Sequence, residues 1–278
     1  VVEVDSALIH FSYDWARSFV VTGAAVPALP AQLSGAEQYE AVRFATEGLS
    51  AVRRASEVLF RVVDGLDEAT IREPSRLAGW TRGHVVTHLA RNADGCVNLL
   101  HWARTGIESP MYPSVADREA DIKEGAHRLA QVQQEDVRAA DERLFMATEV
   151  MSEADWEASI TDTQGLPVGV SIVPWQRLAE VLVHHVDLNV GVGFDDIVDL
   201  AGEQLELLTD YVATRYDGRP GVPTVRLVVE MPSGDDRVWL LGDEGPASDV
   251  RLGVSSALAW LTGRPCADPV LPRLPSWL

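Results

Sequence analysis

The sequence predicts an α+β protein: an N-terminal antiparallel helix bundle followed by a smaller C-terminal α+β domain. Three observations carry this expectation. Apolar residues recur at gaps of three, four or seven through residues 35–216, the period of helices that bury one face. Cap and stop residues divide that stretch into four or five helices, enough for a bundle. Beyond it come two β-like runs, "TVRLVVEMP" and "RVWLLGDEG", separated by the turn signal "SGDD".

The elements follow in order. From Gly35 to about Leu66, Val42, Ala45, Leu49, Val52, Leu59 and Val63 form a helical stripe. Thr81 is placed to cap a second helix that runs to Thr105, where Gly106 stops it. "GIESPMYPS" is a loop with two prolines, and a third helix is expected over Val115–Met151. Its apolar stripe is narrow: Ile122, Ala126, Leu129, Ala140 and Leu144. "TQGLPVGVSIVPW" has room for a short strand. A fourth helix starts near Pro174, tolerated in a first turn, and extends to about Val192. A fifth fits Asp199–Tyr216, and "VSSALAWL" reads as a last helix ending at Gly263. The chain of 278 residues exceeds the usual size of one domain. The expected division is an N-terminal extension of no assigned role (1–34), a bundle (35–216) and a small α+β domain (217–278).

Composition narrows the function. Hydrophobic residues make up 46%, ample for a core, and the formal charge is -19. Such a chain repels nucleic acid and anionic membrane, although a local pocket can still hold arginine for an anionic substrate. No run approaches the roughly 18 apolar residues of a membrane helix. The N-terminus has early acids and no basic region, unlike a signal peptide. Two cysteines without C-x-x-C spacing, Cys96 and Cys266, fit a reducing cytoplasm, with Cys96 a small core residue. The sequence is compatible with a monomer. Nucleophile-elbow, zinc-protease, phosphate-loop and dinucleotide motifs do not occur.

One stretch carries chemistry. In "AEVLVHHVDLNV", Glu180, His184 and Asp187 fall three and four apart, a polar seam on an otherwise apolar helix. Buried ionisable groups are costly unless paired, hydrogen-bonded or bound to a metal. Glu180 and His184 suit a divalent ion, and one more ligand would complete an open three-ligand site. The second helix offers His84 and His88 on one face, with His88 the deeper of the two. His185 points about 100° away from His184 and is not expected to ligate. Asp187 reads either as a residue orienting a ligand or as a charge at the helix end. Arg82 and Arg264 are candidate anion binders or solvated surface residues, and Trp80 and Trp102 read as packing residues.

The stretch "LAGWTRGHVVTHLARNADGCVNLLHWARTGIESPMY", with "EVLVHHVDL" and "LTGRP", resembles the mycothiol-dependent maleylpyruvate isomerases. These lie within the wider DinB-like superfamily of metal-binding bundles, and the likeness covers about residues 40–278. It implies a Zn2+ ion held by His88, Glu180 and His184 with an open position. It implies that Arg264 binds substrate or thiol cofactor and serves binding and not the fold, and less directly a role for Arg82. It implies mycothiol as cofactor and a dicarboxylate-like substrate. The implied reaction is cis–trans isomerisation of maleylpyruvate to fumarylpyruvate in gentisate breakdown. A thiolate adds to the double bond, the resulting single bond rotates, and the thiolate leaves. Two alternatives remain open: a mycothiol S-transferase acting on another electrophile, and a metal- or thiol-binding regulatory domain without turnover. Residues 1–34 depart from the family pattern.

Overall fold

The computed structural model describes residues 35–162, 165–216, 219–242, 247–266 and 270–277. The extension at 1–34 lies outside the described residues. Helix α1 (Gly35–Asp64) and helix α2 (Arg82–Thr105) are followed by α3 (Val115–Gly125) and α4 (Ala130–Glu149). A two-stranded hairpin, β1 (Ser159–Thr161) with β2 (Pro167–Gly169), leads into α5 (Val173–Asp187). Then come α6 (Phe194–Ala201), α7 (Leu205–Thr214), β3 (Val225–Glu230), β4 (Asp236–Leu241), β5 (Ser248–Gly253) and α8 (Val254–Leu261). The bundle is made by α2 packed on α4 and α1 packed on α5, with α2 also against α5.

Helix α5 is the centre of the bundle. Pro174 sits in its first turn, and every residue from Leu178 to Asp187 is buried. Its interior polar groups are tied to three neighbouring helices. Arg177, fully buried, donates to Leu89 O at 2.8 Å, to Asn92 Oδ1 at 3.0 Å and to Asp141 Oδ1 at 3.3 Å. Ser56 of α1 donates to the same Asp141 oxygen at 3.1 Å. A buried guanidinium needs such partners, because an unpaired buried charge costs several kcal/mol.

Three helix boundaries differ from those expected. The helix expected over Val115–Met151 breaks between Gly125 and Ala130. Gly125 abuts Thr87 so closely that a Cβ there would lie 2.3 Å from Thr87 Cγ2. The chain turns beyond it, and Gln133 Nε2 collects the carbonyls of Ala126 (3.3 Å) and Arg128 (2.8 Å). Leu129, expected on the apolar stripe, is 63% exposed at the start of α4. Helix α5 ends at Asp187 and not Val192, because Asn189 (φ 57°) and Gly191 (φ 93°) are left-handed. The helix expected over Asp199–Tyr216 is two, α6 and α7, separated at Gly202.

In the C-terminal part β3 is the middle strand, antiparallel to β4 and parallel to β5. The expected hairpin is present, and β5 adds a strand that the alternation of "SDVRLG" did not announce. The core does not stop at the bundle: one cluster joins Leu59, Leu89 and Leu182 to Val225, Leu227 and Leu258. Trp239 Nε1 also donates to Asp210 Oδ1 of α7 at 3.0 Å. Among the described residues no helix is long and apolar enough to cross a membrane.

Candidate metal centre

The polar seam of α5 meets α2 inside the bundle. His88 Nε2 lies 2.8 Å from Glu180 Oε2, and His184 Nε2 lies 3.2 Å from the same oxygen. The three side chains are 1–5% exposed. The two imidazole rings stand at 78° with centroids 4.5 Å apart. This trio is the one group of three or more potential metal ligands converging among the described residues, with ligand atoms within 4.8 Å of one another. Thus the helical spacing of Glu180 and His184, and the choice of His88 over His84, meet at one point. His84 instead closes the start of α2, with Nδ1 3.2 Å from Thr81 N and 2.8 Å from Thr81 Oγ1.

The donor set fits a divalent ion. Ligand atoms about 2.1 Å from a common zinc lie within about 4.2 Å of each other, and both measured separations satisfy that. His184 Nε2 is buried with no hydrogen-bond partner. Its Nδ1 lies 2.8 Å from Asp187 Oδ2, so with the proton held there the Nε2 lone pair faces a carboxylate oxygen. Two acceptors facing each other in a buried site call for a cation or a proton between them.

Electrostatics agree. Burial raises the Glu180 carboxyl, but the adjacent His184 and His88 outweigh it and hold the group well below the usual carboxylate range. Burial, then the neighbouring His184, pulls His88 down to about 4, so its ring is neutral and a ready ligand. Burial also lowers His184, yet Asp187 and Glu180 together move it upward. Asp187 is fully buried and, against its burial, stays ionised through His184 and Arg264. Of the two readings of Asp187, the buried partner of His184 is the one observed.

Arg264 reaches this network from beyond α8. Its Nη2 donates to Asp187 Oδ2 at 2.5 Å, Nε to Oδ1 at 3.2 Å and Nη1 to Thr262 O at 2.5 Å. It is a structural partner of a buried charge as well as a candidate binder, so its expected independence of the fold does not hold in this geometry. Arg82 is engaged elsewhere: it donates to Leu188 O (2.8 Å), Asn189 O (2.8 Å), Thr70 O (3.1 Å) and Glu73 Oε2 (2.6 Å). Two of these bonds latch the end of α5 and two hold the segment before α2, so four of its five N–H groups are used and little is left for an anion. His185 is buried outside the cluster with neither ring nitrogen bonded. Cys96 is buried, and burial pushes its thiol up to about 12. Trp102 packs in the second core, whereas Trp80 stands edge-on to His88 with ring centroids 5.8 Å apart.

Residues 52–189 match the mycothiol maleylpyruvate isomerase N-terminal domain. The chain carries this family's domain. The match spans His88, Glu180 and His184. Two solved structures extend the likeness into the C-terminal part. One is of the mycothiol-dependent maleylpyruvate isomerase, 28% identical, with a TM-score of 0.72 over 84% of this chain and 97% of that one. The other, a histidine-to-alanine mutant, gives 28% identity and a TM-score of 0.71 with the same coverage. No curated protein matches the sequence.

Two residues near this maleylpyruvate-isomerase-like centre escaped the sequence reading. Arg118 of α3 places Nη2 3.2 Å from His88 Nδ1, and its Cζ lies 5.5 Å from the Tyr112 ring. Arg118 stands between Asp117 and Glu119 in a charged helix, where spacing alone reads it as solvated surface. Tyr112 lies in the "PMY" loop, a part of the resemblance to which no role was attached.

Proposed function

We propose that this chain is a zinc- and mycothiol-dependent cis–trans isomerase that converts maleylpyruvate to fumarylpyruvate. The observation that carries the reading is the buried convergence of His88, Glu180 and His184 inside a domain of the mycothiol maleylpyruvate isomerase family. A zinc ion held by these residues supplies a positive charge that keeps a coordinated thiol ionised at neutral pH. The protein's own groups prepare that site. Asp187 fixes the proton of His184 on Nδ1 and leaves Nε2 facing inward. Glu180 brings the negative charge, and His88 adds a neutral nitrogen. Arg264 neutralises Asp187 and keeps two N–H groups for the anionic substrate or cofactor. Cys96, buried and with its thiol raised to about 12, is a poor nucleophile, and this reading takes the sulfur from mycothiol.

Turnover of maleylpyruvate, followed with and without zinc and with and without mycothiol, tests the reading. Isomerisation is expected only when both are present. Isomerisation by dialysed, thiol-free protein overturns it. Transfer of mycothiol into a stable product, without isomerisation, marks an S-transferase, and binding without turnover marks a regulatory domain.

A further inference from the structure

We propose that Arg118, with Tyr112 beside it, forms a carboxylate-binding subsite on the His88 flank of the metal centre. The inference rests on the isomerase reading for the identity of the carboxylate, which belongs to the dicarboxylate-like substrate. Four observations support it.

Arg118 is a cation without a counter-ion. Among the described residues no carboxylate lies within ion-pair distance of it. The inward-directed arginines Arg82, Arg177 and Arg264 pair with Glu73, Asp141 and Asp187. Arg118 lacks such a partner although acids stand on either side of it in sequence and the chain has a formal charge of -19. Besides the Tyr112 hydroxyl, Arg118 meets His88 Nδ1, which is a poor partner for it. A guanidinium only donates, and a histidine that offers Nε2 to a metal as a neutral ring carries its proton on Nδ1. The 3.2 Å contact between Arg118 Nη2 and His88 Nδ1 then sets donor against donor. An anion placed there would accept from the guanidinium.

The position is built. Met111 fits against Gly95, where a Cβ would lie 2.6 Å from Met111 Cγ, and this anchors the loop that carries Tyr112. Ser114 caps α3 by accepting from Asp117 N at 3.0 Å. Ile122, 2% exposed, and Gly125 against Thr87 seat α3 on α2. The Tyr112 hydroxyl, raised by burial and then by the charge of Glu180, remains a neutral donor. A guanidinium and a phenol together match a carboxylate, and charge-assisted hydrogen bonds of this kind are the strong ones.

The test is equilibrium binding of maleate, an unreactive dicarboxylate, to the zinc-loaded full-length protein by calorimetry. Arg118→Met should weaken maleate about 10- to 100-fold, the effect of losing a hydrogen bond to a charged group. Arg118→Lys should recover part of that loss. Zinc content and melting temperature should match wild type in both variants. Unchanged maleate affinity in Arg118→Met overturns the subsite. So does loss of zinc in that variant, which would make Arg118 a support for His88, and so does wild-type protein that fails to bind maleate. The two readings fail separately. Maleate binding through Arg118 without isomerisation sinks the isomerase reading alone. Isomerisation with an unchanged KM in Arg118→Met sinks the subsite alone.

Discussion

His184 and His88 reach the same carboxylate oxygen from two different settings. On the His184 flank every charge is matched inside the protein: Asp187 holds His184 Nδ1 at 2.8 Å, and Arg264 forks onto Asp187. On the His88 flank the neighbour is Arg118, a cation with no carboxylate partner among the described residues. The first arrangement is the usual support of a metal-ligating histidine, a carboxylate that fixes its tautomer and raises its basicity. The second cannot do that, because a guanidinium accepts nothing. The contrast separates two tasks in one small site. On the reading proposed above, the buried Asp187–Arg264 pair orients a ligand while Arg264 keeps two N–H groups free, and Arg118 adds positive charge for an anion on the opposite flank.

The largest expected effect removes the shared centre itself. His184→Ala should lower zinc affinity more than about 100-fold, beyond the usual effect of losing only a supporting residue. Metal analysis after dialysis should show most of the zinc gone while the helical signal is kept. Full zinc content in that variant would remove His184 from the ligand set. Asp187→Asn comes next and addresses the comparison directly. It leaves the ligands in place but deprives His184 of its carboxylate and Arg264 of its counter-charge. Zinc affinity should fall about 10- to 100-fold, whereas Arg118→Met should leave it unchanged. Equal zinc affinity in the Asp187→Asn and Arg118→Met variants would erase the distinction between the flanks.

The two flanks also differ in how far they could be read from sequence. Glu180, His184 and Asp187 lie on one helix, so their common face follows from the 3.6-residue period alone. His88 sits among buried apolar neighbours on α2, and a second apolar helix with histidines was visible as a pattern. The pairing of Arg264 with Asp187 spans 77 residues, and only the "LTGRP" resemblance placed Arg264 near the site. Arg118 had no such signal. Its position depends on α3 ending where Gly125 meets Thr87, and the sequence reading ran a single helix through that point. The same local feature therefore explains the misplaced helix boundary and the missed residue. Strand β5 was missed for a related reason: it pairs parallel to β3, so its partner is remote in sequence and no hairpin turn marks it.

The smallest expected effect tests whether that close approach sets the His88 flank. Gly125→Ala introduces a Cβ that would lie 2.3 Å from Thr87 Cγ2. Thr87 is 3% exposed and β-branched within a helix, so its side chain has little freedom to turn aside. Helix α3 must therefore shift away from α2. Overpacking of this kind costs about 1–3 kcal/mol. A melting temperature lowered by a few degrees is the expected reading. Zinc content should be unchanged, because no ligand or support on the His184 flank touches Gly125. Maleate binding should weaken less than in Arg118→Met, since the guanidinium is displaced and not removed. Zinc loss in Gly125→Ala would show that α3 supports His88 after all, and the two flanks would then share the work of holding the metal.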